Sequence, residues 1–140
     1  MQAVTLQSKA GMKAVEELKA LEEGAVKKLQ SKDAEVKKLA DSINKQKASL
    51  STAALQDKNI ELNKKSVELE RLQKDLQTEL QTKQAIKLDE LFKELDPVIS
   101  DYAKEKGYDI IFIKRPDIMA YANQSVDITS DIISRFDIKW

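Results

Sequence analysis

The nearest approach to a reactive cluster in this sequence is the run of carboxylates Asp89, Glu90, Glu94 and Asp96. Paired acids hold a divalent cation or pass a proton only where partners converge. These four follow one another along a helix-forming segment with no neighbouring His or glycine-rich loop. The chain of 140 residues has no His and no Cys. That removes Ser-His-Asp chemistry, thiol nucleophiles, disulfides and metals held by imidazole or thiolate. The expectation is a protein that is not an enzyme, with no catalytic residue, no metal and no cofactor.

Lysines are the groups left in number. Residues 26–83 hold 13 basic and 9 acidic residues, and the remainder carries the opposite excess, so 24 cations and 24 anions sum to zero. The candidate binding residues are Lys27, Lys28, Lys32, Lys37, Lys38, Lys45, Lys47, Lys64, Lys65 and Arg71. A basic excess on one segment captures acidic or amphiphilic partners through many weak attractions; the plainer alternative is a solvated helix face. Nucleic acid is not expected, since the chain is neutral and has no aromatic-basic platform.

The elements that carry these lysines follow from periodicity. Val15, Leu18, Ala25, Leu29, Val36, Leu39, Ile43 and Leu50 recur at three and four spacing, with Glu22, Lys32 and Gln46 as polar defects in the same register. This is a loose coiled-coil seam. Small residues at 49–54, with Ser51 and Thr52 as cap candidates, place a hairpin tip there. Leu55, Leu62, Leu69 and Leu76 then repeat every seven residues, and the stripe widens through Leu88, Leu91, Phe92, Leu95, Val98, Ile99 and Tyr102. Asp96-Pro97 fits a mild kink or a helix restart, and Gly107 a helix stop.

Beyond Gly107 the period changes. Asp109 to Ile113 reads as a buried strand, Lys114-Arg115-Pro116-Asp117 as a turn, and Ile118 to Ala122 as a second strand. Asp127 can cap a last helix over 128–136. The predicted organisation is a lead-in to the first helix over 1–25, a helical hairpin arm over 26–83 and a body over 84–140 that includes a β-hairpin at 109–122. Ile110, Ile111, Phe112, Ile113, Met119, Tyr121 and Ile128 are the expected core or oligomer contacts of that body. A lone two-stranded hairpin is not stable in water, so pairing between chains is expected.

No apolar run approaches the roughly 18 to 20 residues that span a bilayer. Glu16, Glu17, Glu22 and Glu23 stand where the apolar centre of a signal peptide would lie, so none is expected in the chain as given.

Three segments carry a resemblance to a known family. Gln7 to Ala14 looks like the start of its first long helix, Ala103 to Asp109 leads into the hydrophobic run as it does there, and Tyr121-Ala122 with Val126 to Thr129 resembles its closing signature. On these residues the chain resembles the Skp/OmpH family of periplasmic chaperones. The resemblance implies an α+β fold: a long antiparallel helical hairpin, or coiled-coil tentacle, on a small β-rich trimerisation body. It also implies a periplasmic homotrimer that holds unfolded outer-membrane β-barrel proteins without ATP, in a cavity between its arms. Lysine-rich helices further suit peripheral contact with an anionic membrane or lipopolysaccharide. The competing reading is a structural coiled-coil adaptor that binds one folded partner through its arm.

Overall fold

The computed structural model describes residues 2–115, 117 and 119–140, with the side chains of Gln2 and Ala3 left aside. Among these described residues four α-helices follow in order: α1 at Gln2–Gln7, α2 at Lys9–Gln46, α3 at Thr52–Lys106 and α4 at Thr129–Asp137, with a 3-10 turn at Gln124–Val126 before α4. No helix among the described residues is long and apolar enough to cross a membrane. The chain divides into two compact units, one of Met1–Leu18 with Lys83–Trp140, here the base, and one of Lys19–Thr82, here the arm.

The base closes on a core of Val4, Ala10, Ala14, Leu91, Leu95, Val98, Tyr102, Ile132 and Phe136. Leu95 and Phe136 have no exposed surface. Ser8 separates α1 from α2 and caps α2: its Oγ accepts from the Gly11 N–H at 3.1 Å. Asp137 Oδ1 accepts from the Lys9 N–H at 2.7 Å, which sets an anion at the positive end of α2. Gly11 is obligatory because a Cβ there would lie 1.2 Å from the Thr5 carbonyl oxygen.

Pro97 sits inside a continuous α3. A proline within a helix removes one backbone hydrogen bond and costs about 3 kcal/mol. Burial of Leu95 and Val98 on either side offsets it, so neither a restart nor a new cap is needed. Gly107 ends α3 at φ +72°, and the Tyr108 N–H returns to the Ala103 carbonyl at 2.9 Å, closing a Schellman motif.

The expected α+β class is corrected here: among the described residues there is no strand, and the β-rich body and its hairpin at 109–122 are absent. The β-branched run favours extended backbone, but a strand exists only where a neighbour completes its ladder. Residues 109–114 make no backbone-to-backbone hydrogen bond among the described residues, and the Met119 N–H turns back to the Arg115 carbonyl at 2.9 Å. Pro116 of the expected turn and Ile118 of the expected second strand lie outside the described residues.

In the arm, α2 and α3 bury little. Ala25, Ile43 and Leu76 are its buried apolar residues, while Leu29, Val36, Leu39, Leu62 and Leu69 are half-buried. Chain reversal falls at 47–51, between helix ends that cap themselves. Ser49 Oγ donates to the Gln46 carbonyl at 2.9 Å, and Ser51 Oγ accepts from the Ala54 N–H at 3.3 Å.

Candidate functional site

The arm's cations fall into two groups. Lys32 lies 3.2 Å and Lys65 3.6 Å from one Glu35 carboxylate oxygen, and Lys37 lies 2.7 Å from Asp33. The hydrogen bond from Lys32, aided by the charges of Lys32 and Lys65, holds the Glu35 carboxyl below the usual carboxylate range. Asp33 likewise pushes the Lys37 ammonium up, chiefly through its hydrogen bond. These three cations are partly spent on their own chain. Lys27, Lys28, Lys38, Lys45, Lys47, Lys64 and Arg71 are exposed, and among the described residues none has an acid within ion-pair distance.

Helical geometry sorts the unpaired group further. At 3.6 residues per turn, Lys27, Lys38 and Lys45 share the side of α2 opposite buried Ala25 and Ile43. On α3, Lys64 and Arg71 lie opposite Leu62, Leu69 and Leu76, on a stripe that runs Ile60, Lys64, Val67, Arg71, Lys74. Ile60 and Val67 remain exposed. The sequence reading did not single out these two apolar residues; their four-three-four-three spacing with the cations was the signal that could have found them. At the tip end of this stripe a hollow of about 430 Å³ is lined by Thr52, Leu55, Gln56, Asn59, Ile60 and Asn63.

In the base, the residues expected as core or oligomer contacts are placed differently from one another. Ile110, Phe112, Ile113 and Tyr121 are exposed, Tyr121 to 81%. Ile111 and Met119 are half-buried, and Ile128 packs against the core. The segment that carries the first six is pinned at Lys114, whose Nζ lies 2.7 Å from Asp127 Oδ2. Asp127 Oδ1 also accepts from the Thr129 N–H at 3.1 Å, at the start of α4. Lys114 and this backbone donor together hold the Asp127 carboxyl well below its ordinary range.

A second polar cluster ties α4 to the end of α3. The Tyr102 hydroxyl donates to Asp131 Oδ2 at 2.6 Å, Arg135 donates to Glu105 Oε1 at 2.7 Å, and the Arg135 guanidinium lies 4.7 Å from the Tyr102 ring centre. The hydrogen bond to Asp131 pushes the Tyr102 phenol up to about 12. Three of the four carboxylates that opened the search for chemistry have partners: Asp89 with Lys93 at 2.7 Å, Glu90 with Lys87 at 3.6 Å, and Glu94 accepting from the Trp140 indole at 3.1 Å.

A two-helix unit with a thin seam, together with a small helical base that leaves an apolar segment in solvent, defines a protein built around surfaces. The same fold occurs in a crystal structure from Caulobacter crescentus, of a candidate OmpH-like outer membrane chaperone. That structure matches with a TM-score of 0.89 at 19% identity, covering 99% of this chain and 81% of that one. The family of OmpH-like outer membrane proteins matches residues 1–136, and the chain belongs to it. A search of curated proteins finds no match.

Proposed function

We propose that the protein is an ATP-independent holdase chaperone of the periplasm, which binds unfolded outer-membrane β-barrel proteins between helical arms and prevents their aggregation. The observation that carries this reading is the character of the arm: a unit with little core, many unpaired exposed cations and scattered exposed aliphatic residues. Such a surface retains a chain by many weak contacts while leaving it mobile. Membership of the OmpH-like family and the fold shared with a candidate chaperone support it.

The working assembly in this reading is a homotrimer, in which Ile110, Phe112, Ile113 and Tyr121 are covered by neighbouring copies. Large apolar side chains exposed together on one segment favour association. Three arms around one space would concentrate the basic excess of residues 26–83 on the client.

The test is aggregation suppression without nucleotide, using several unrelated unfolded barrel proteins diluted from denaturant, with mass in solution measured alongside. Suppression across the panel by a trimer is the expected result. Stoichiometric binding of one folded protein with no suppression would replace the holdase with the adaptor.

A further inference from the structure

The stripe on α3 and the hollow beside it form one continuous face. From Thr52 to Lys74 this face runs about 33 Å at 1.5 Å per residue. An extended chain at about 3.4 Å per residue covers that distance in about ten residues. A transmembrane β-strand is about 9 to 11 residues long. The face is therefore as long as one strand of a barrel.

Its chemistry is arranged in two zones. In the hollow, the side-chain amides of Gln56, Asn59 and Asn63 make no hydrogen bond among the described residues. Each carboxamide presents a donor and an acceptor, the same complement that an unpaired peptide group presents. Recognition through them depends on backbone and not on side-chain identity. Beyond the hollow, Lys64, Arg71 and Lys74 are exposed and without an acidic partner among the described residues, in contrast to Lys65, whose charge is directed to Glu35. Ile60 and Val67, both exposed, supply apolar contact along the same line. Barrel strands alternate apolar and polar side chains, so an extended strand can satisfy both kinds of contact at once.

We propose that this face of α3 binds a strand-length, extended and acidic segment of an unfolded polypeptide, with the carboxamides pairing to its peptide groups and Lys64, Arg71 and Lys74 to its carboxylates. The assignment rests on the holdase reading and names the part of the arm that reads the client. Clients with an acidic strand bind here more tightly than clients with a basic one.

The probe is a fluorescein-labelled ten-residue peptide that alternates Val or Leu with Ser or Glu, titrated with the full chain and followed by anisotropy. The triple variant Gln56→Ala, Asn59→Ala, Asn63→Ala should weaken binding about tenfold. Lys64→Glu with Arg71→Glu should weaken it to a similar degree and remove its weakening by added salt. Lys104→Glu with Lys139→Glu, exposed in the base and outside the candidate binding set, should leave it unchanged. N-methylation of alternate peptide groups in the probe should weaken binding to the unaltered chain and not to the carboxamide variant. All substitutions are at exposed positions, and circular dichroism checks that the helices persist.

Wild-type affinity in both α3 variants, with aggregation suppression intact, would overturn this assignment and leave the holdase reading standing. Unchanged peptide affinity with lost binding to phosphatidylglycerol vesicles would overturn it in favour of an anionic surface. Absence of suppression by the unaltered chain would remove the holdase reading itself.

Discussion

The base and the arm are built from the same helical material and use it in opposite ways. The most fully buried side chains, Phe136, Leu95, Thr5 and Ser8, all belong to the base. The arm buries Ala25, Ile43 and Leu76 and keeps every one of them slightly open to solvent. A stripe two residues wide per two turns can close only one side of a helix, whereas the widened stripe near Leu91 to Tyr102 accepts neighbours from α1, α2 and α4. Stability therefore concentrates in the base and available surface in the arm.

The largest expected difference comes from making the same cavity in each unit. Leu95→Ala should cost about 4 kcal/mol, since the surrounding core cannot collapse onto the void. Leu76→Ala, between half-buried neighbours that can close up, should cost about 2 kcal/mol. Trp140 is the single tryptophan and lies in the base, so its fluorescence follows base unfolding in denaturant while circular dichroism follows both units. Equal losses from the two variants would erase the contrast.

Next in size is Gly11→Ala. The added methyl would meet the Thr5 carbonyl, which belongs to backbone and cannot rotate aside, so α1 must lift from the start of α2. Overpacking of this kind costs about 1 to 3 kcal/mol. Base unfolding should move to lower denaturant by the corresponding amount, and an unchanged midpoint would mean that α1 contributes nothing to the base.

Alkaline pH probes the polar cluster that joins α4 to α3. Tyr102 titrates at about 12 in the folded chain, above its ordinary value of 10.0, because its proton is held by Asp131. A folded value raised in this way gives stability that is fully present below pH 10 and is lost as pH rises towards 12, where the unfolded phenol has already ionised. Tyr102→Phe should lower base stability at neutral pH and flatten the decline between pH 10 and 12, measured as the Trp140 midpoint at each pH. The same decline in both proteins would assign it to other groups.

These contrasts also mark how far the sequence could be read. The seven-residue leucine spacing from Leu55 to Leu76 and the helix stop at Gly107 are local signals, and α3 follows both; the break between α2 and α3 falls at 47–51, beside the small residues at 49–54. Pro97 was ambiguous because its outcome depends on how deeply Leu95 and Val98 are packed, a tertiary fact. The run Ile110 to Ile113 was misread as a strand because its composition reports only a preference for extended backbone. Whether a ladder forms depends on a partner that the composition of one segment does not contain. Among the lysines, charge was legible but partnership was not: Lys64 and Lys65 are adjacent, yet only Lys65 turns to Glu35.

The smallest expected effect has the opposite sign and separates the units most cleanly. Gly24 lies in α2 within the arm, and a Cβ built there meets nothing within 4 Å. The space belongs to a hollow of about 230 Å³ bordered by Ala20, Leu21, Ala25, Leu76 and Leu80. Alanine in a helix interior is favoured over glycine by about 0.5 to 1 kcal/mol, because glycine gives up more backbone freedom on folding. Gly24→Ala should therefore raise arm stability by that amount, read by circular dichroism, while the Trp140 transition of the base stays where it is. The two glycines differ by what faces the missing Cβ: the Thr5 carbonyl at one, open space at the other. A stabilised arm that still suppresses aggregation would show that holding a client does not require the arm to be soft at Gly24; a stabilised arm that no longer does so would identify this hollow as the place where the arm yields.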